Sequence, residues 1–121
     1  MNIILGIAFL IHAVFHLIGF LVPWQVASME EMPYRTTLFN GRIDIGFIGI
    51  RIIGMLWLLT SFCFFLAAIA AFLSLLCCFP AIFGICAFSI LLSVAGWPDT
   101  VEGTISNIIL IALLILTKYF I

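Results

Sequence analysis

His12 and His16 stand four residues apart in an apolar run, so a helix there turns both imidazoles to one face. Two imidazoles at that spacing can share a metal ion, relay protons or ligate a redox group. The simpler reading is that both hydrogen-bond across a helix bundle as neutral groups. A zinc site needs a third and usually a fourth ligand, and the chain has only two histidines. No acid lies deep enough in the other helices to complete a site, so no cofactor is expected, with haem, a metal or a quinone as the alternatives. Arg51 borders another apolar run, and an ionisable group inside a membrane is by default a functional hypothesis with a partner to be named. Asp44 and Asp99 are its natural partners; otherwise its head snorkels to the lipid headgroups. Its planar fork suits an anionic or carbonyl-bearing ligand. Asp99 and Glu102 have the spacing of an acid–base pair and equally of a capping box at a helix start. Cys63, Cys77, Cys78 and Cys86 show no CxxC spacing and read as small apolar fillers, with lipidation of Cys77 or Cys78 as the alternative. No phosphate loop, nucleophile elbow or HExxH motif is present.

The elements that must position these groups follow from composition. Of 121 residues, 67% are hydrophobic and 7% charged, with a mean hydropathy of +1.47. A water-soluble domain carries about 25% charged residues, and so apolar a chain does not stay disordered. Four Lys and Arg against five Asp and Glu leave no basic patch for nucleic acid. The class that remains is an all-α integral membrane protein. A crossing takes about 20 apolar residues, and a single domain over 1–121 offers four: 3–22, 48–76, 80–95 and 100–121. Pro23 ends the first, the unbroken apolar stretch from Ile52 to Ser93 must fold back near Cys77 to Pro80, and Pro98 separates the third from the fourth. The polar stretch from Trp24 to Asp44 is the one sizeable loop, with the Asn40-Gly41 pair as a turn signal. The N-terminal run lacks a basic region and is too long for a cleaved signal. Arg35, Arg42 and Arg51 face Lys118 across the chain, so the positive-inside rule sets both loops in the cytoplasm and both termini outside.

Packing faces between membrane helices favour small and hydrogen-bonding residues. Each span has such a stripe: Ala8, His12, His16 and Gly19; Arg51, Gly54, Ser61 and Ala68; Cys86, Ser89, Ser93 and Gly96; Gly103 and Asn107. A helical rise of about 1.5 Å per residue brings His16, Ser93 and Asn107 to one layer about 6–10 Å below the loop side. Asp44, Asp99 and Glu102 lie above that layer, and the opposite half is almost purely apolar. The expectation is a four-helix bundle with a polar half-membrane pocket lined by His16, Arg51, Ser93 and Asn107, with His12 near its floor.

The runs His16-Leu-Ile-Gly19-Phe20, Gly41-Arg42-Ile-Asp44-Ile-Gly46, Gly49-Ile-Arg51-Ile-Ile-Gly54 with Trp57-Leu-Leu, and Trp97-Pro-Asp99 with Gly103 and Asn107 resemble a group of bacterial four-span integral membrane proteins without an assigned activity. A more remote similarity is to DoxX-like four-helix membrane proteins, which would imply a redox or accessory-subunit role. The leading functional reading is a non-catalytic binding or accessory protein that meets the lipid bilayer and either a second copy or another membrane protein. The second is a small redox enzyme or quinone-binding protein that uses His16 as proton donor or acceptor and Arg51 as clamp. The third is an oligomeric transporter of a small solute.

Overall fold

The apolar runs bounded by Pro23, Asn40-Gly41 and Pro98 fold as four helices in the computed structural model, which describes residues 1–75 and 79–120. They are α1 (Asn2–Leu21), α2 (Gly46–Phe72), α3 (Phe79–Ala95) and α4 (Val101–Phe120). Among the described residues 72% are helical, which makes the fold all-α. By length and composition α1, α2 and α4 can each cross a membrane, and α3 is a shorter apolar helix.

α2 ends earlier than its apolar run. Ser74 takes a left-handed backbone conformation (φ 57°), its N–H bonds to Ala71 O at 3.0 Å, and the Leu75 N–H reaches back to Ala70 O at 2.7 Å. This pair of bonds caps the last carbonyls of a helix in the Schellman arrangement, here around a serine where glycine is usual. Pro80, expected both at the end of the turn and at the start of the third helix, belongs to the helix. It occupies the first turn of α3, where a missing N–H costs nothing because that donor has no intrahelical acceptor. Leu76, Cys77, Cys78 and Ile121, on which part of the expected turn, the lipidation alternative and the fourth helix's last residue fall, lie outside the described residues.

The helices run alternately up and down. Asn2 Nδ2 donates to Ser74 Oγ at 3.1 Å, and the Lys118 ammonium stands 5.8 Å from the Phe79 ring, so both chain termini share one end of the bundle with the α2–α3 connection. α1 packs mainly on α2 and α3 mainly on α4, with lighter α2–α3 and α1–α4 contacts completing the ring. At the termini end the interior is apolar: Leu5, Phe9, Phe64, Ala71, Ile82, Cys86 and Leu114 meet there. The polar interior begins above them with His12, His16, Ser61, Ser89, Ser93 and Asn107, all buried.

The other end carries a feature that the turn signal at Asn40-Gly41 only hinted at. Two short antiparallel strands, β1 (Thr37–Leu38) and β2 (Ile43–Asp44), pair Thr37 with Asp44 and Leu38 with Ile43. The turn between them docks on the end of α3 through main-chain bonds, Phe39 N to Ala95 O at 2.8 Å and Asn40 N to Trp97 O at 3.1 Å. Asp44 accepts from Thr36 Oγ1 and from the Gly46 N–H, so its carboxylate holds the hairpin to the start of α2.

Candidate functional site

The stripe on α1 meets its partners in the upper half of the bundle. His16 Nδ1 lies 3.1 Å from the His12 carbonyl, and a carbonyl only accepts, so Nδ1 carries the proton. Nε2 of a neutral ring is then an acceptor, and Ser89 Oγ at 2.7 Å donates to it. The same Ser89 oxygen accepts from Asn107 Nδ2 at 2.8 Å, while the second Asn107 amide hydrogen goes to Gly103 O at 2.8 Å. Donors and acceptors match along this chain from α1 through α3 to α4. Asn107 has no titratable proton, so the chain fixes the His16 ring and its tautomer and is ill suited to relay protons.

Aromatic groups wall the two imidazoles. The His12 and His16 ring centroids are 4.5 Å apart; Trp57 lies 4.8 Å from His16, and Phe64 meets His12 edge-on at 4.7 Å. Trp57 can lie so close because position 19 is glycine: a Cβ there would overlap the indole ring. Gly103 does the same between α3 and α4, where a Cβ would come 2.7 Å from Ser93 Oγ.

Beside the histidines lies a cavity of about 400 Å³. α1 contributes His12, Phe15, His16, Ile18 and Gly19, the loop after it Met29, Glu31 and Met32, α2 contributes Trp57, and the start of α4 with its preceding loop brings Asp99, Glu102, Gly103 and Ser106. The space is the gap left where α1 and α4 touch lightly, with carboxylates at the loop-side mouth and His12 toward the bundle centre. Its volume falls in the range of small-molecule sites, about 300–1,000 Å³.

The structure distributes the predicted pocket residues unevenly. His12 and His16 line this cavity. Asn107 is buried at the bundle axis, with its amide beside His12. Ser93 is buried one turn above Ser89, and its hydroxyl has no hydrogen-bond partner among the described residues. Arg51 does not line the cavity. Its guanidinium carbon is 4.6 Å from the Trp24 ring centroid and 4.4 Å from that of Phe47, and Trp24 Nε1 donates to the Arg51 carbonyl at 3.0 Å. Cation–π contact with two rings takes the place of the expected carboxylate partner. Asp99 pairs with Arg35 instead, at 2.8 Å. The expected capping box is also replaced: the Asp99 N–H donates to Gly96 O, α4 starts two residues later, and Glu102 stands in its first turn.

Comparison with protein-family models, with curated proteins and with solved structures found no match.

Three features escaped the sequence reading. Ser89 is the hub of the polar chain, and its signal was its place in the Cys86, Ser89, Ser93 stripe. Met29, Glu31 and Met32 reach the cavity from a loop whose path no periodicity encodes. Arg35 was counted only as a topology charge. Among the described residues no group of three or more His, Cys, Asp or Glu is placed to hold a metal ion.

Proposed function

We propose that this chain is a four-span membrane protein that acts without catalysis, binding a small lipophilic molecule in the α1–α4 cavity as an accessory to another membrane component or to a second copy of itself. The observation that carries this reading is the cavity: apolar side chains make most of its wall, buried histidines stand at its inner end, and it opens between two helices whose outer faces are apolar. Phe15, on its rim, is 60% exposed, which suits access from the lipid side. The 17 residues of α3 rise about 26 Å at 1.5 Å each, a few ångströms short of the hydrocarbon core, a mismatch that local bilayer thinning absorbs at small cost. Arg35, Arg42 and Arg51 favour cytoplasmic loops, with both termini outside. The resemblance to four-span bacterial membrane proteins points the same way.

A redox enzyme built on His16 and Arg51 has less support, because His16 has both ring nitrogens engaged and Arg51 is held elsewhere by Trp24 and Phe47. Native mass spectrometry of protein released from its own membranes tests the binding role. A retained small molecule, lost when Ile18→Trp fills the cavity from α1, is the expected result. A ligand-free chain from every membrane source refutes it. Terminal reporter fusions check the topology: termini on opposite sides would exclude four spans.

A further inference from the structure

The cationic head of Arg51 is held in place without an anion. The single ion pair among the described residues joins Arg35 to Asp99, and Asp44, the acid nearest to Arg51 in sequence, is turned to Thr36 Oγ1 and the Gly46 N–H. Two aromatic rings hold the head instead, its central carbon 4.6 Å from the Trp24 centroid and 4.4 Å from that of Phe47. The Trp24 ring is itself pinned. Its Nε1 donates to the Arg51 carbonyl, and it lies so close to α2 because position 54 is glycine, where a Cβ would come 2.8 Å from the indole Cδ1. Of the guanidinium nitrogens only Nε is both enclosed and unpartnered among the described residues, so the terminal pair stays open to the surroundings. A planar fork ordered beforehand loses little freedom when an oxyanion takes both terminal nitrogens.

We propose that Arg51, set between Trp24 and Phe47, binds the phosphate of a lipid whose headgroup carries a net negative charge. This site is separate from the α1–α4 cavity and rests only on the membrane insertion proposed above. Depth favours such a ligand. Arg51 lies five residues into α2, about 7.5 Å of helical rise from its start, and Trp24 beside it is the residue type that gathers at the headgroup boundary. Ile52 and Met55, deeper on α2, are exposed and offer apolar surface to the acyl chains. A free phosphate would have to shed its water beside these side chains, whereas a lipid carries its phosphate to this depth. A choline or ethanolamine head is the poorer match, since its own ammonium already neutralises the phosphate.

The test is native mass spectrometry of the full chain in a neutral detergent, titrated with phosphatidylglycerol or with phosphatidylcholine of the same acyl chains. The first phosphatidylglycerol should bind about tenfold tighter or more. Arg51→Gln should reduce that preference to about threefold or less, and Arg51→Lys, which keeps the charge without two coplanar donors, should fall between the two. Arg42→Gln, on the exposed hairpin turn, should leave the preference intact. Equal binding of the two lipids overturns the assignment, as does a full preference retained in Arg51→Gln or, if that variant fails to fold, in Arg51→Lys. An equal loss in Arg42→Gln replaces the site by diffuse surface charge. Displacement of the bound lipid by glycerol 3-phosphate makes a soluble anion the occupant and overturns the lipid. Ile18→Trp, which fills the α1–α4 cavity, should change nothing; loss of the preference there moves the lipid into the cavity and overturns the Arg51 site, whereas an empty cavity leaves that site standing.

Discussion

Ser89→Ala removes one oxygen and with it the junction of three helices. The hydroxyl donates to His16 and accepts from Asn107, and all three residues are fully or almost fully buried. Interhelical hydrogen bonds within membranes average about 0.6 kcal/mol and reach about 1.7; two of them give about 1–3 kcal/mol, and the His16 Nε2 and one Asn107 amide hydrogen left unpaired move the value toward the upper end. The volume lost is a single atom, so packing contributes little. The unfolded fraction should therefore rise about 5- to 150-fold, measured by reversible denaturant unfolding in mixed micelles. The control is Ser106→Ala, whose hydroxyl bonds only to Glu102 O on its own exposed helix face, with a change of about 0.5 kcal/mol or less. A double-mutant cycle with Asn107→Leu should be strongly non-additive, because both substitutions break the same bond. If Ser89→Ala costs no more than Ser106→Ala, or if the cycle is additive, the polar chain does not tie α1 to α3 and α4 as argued.

Gly19→Ala places a methyl group in the Trp57 ring and should cost about 1–3 kcal/mol by overpacking, with a shift in tryptophan emission; a variant as stable as the parent would mean that α1 and α2 separate freely. Phe64→Ala, at a fully buried position between His12, His16 and the apolar core, should lose about 3–5 kcal/mol in the same unfolding measurement. Arg35→Ala breaks a pair whose arginine is 53% exposed, so solvent screening limits the loss to about 0–1 kcal/mol, and high salt should erase it; a larger, salt-independent loss would show that the guanidinium does more than pair with Asp99.

Much of the helical layout was legible because it depends on local signals. Pro23 and Pro98 punctuate hydrophobic runs, and both ends of α1, α3 and α4 fall within a residue of those read from the sequence. The end of α2 was not legible: Leu73-Ser74-Leu75 continues the apolar run, and the helix stops through a backbone conformation that serine seldom adopts. The hairpin was equally hidden, since a two-residue strand has too short a pattern to read and much of its support is main-chain bonding to α3. For the site, the four-residue spacing located His12 and His16 on one face. How each ring is engaged depends on what α3 and α4 present to that face, a matter of helix rotation that no single helix encodes. Arg51 shows the converse. Charge logic sought a carboxylate, whereas Phe47, one turn before Arg51 on α2, and Trp24, brought in only by folding, supply two aromatic faces.

The docking of the hairpin on α3 bears on how the molecule is made. Phe39 and Asn40 belong to the loop after α1, while their acceptors, Ala95 and Trp97, are synthesised more than fifty residues later. As a growing chain leaves the ribosome, those two amide donors must be satisfied by water until the second helical pair arrives. Their final bonds require this loop and the end of α3 to share one membrane face. The rim is thus closed last, and a third helix inserted in the wrong direction would leave both donors without their acceptors.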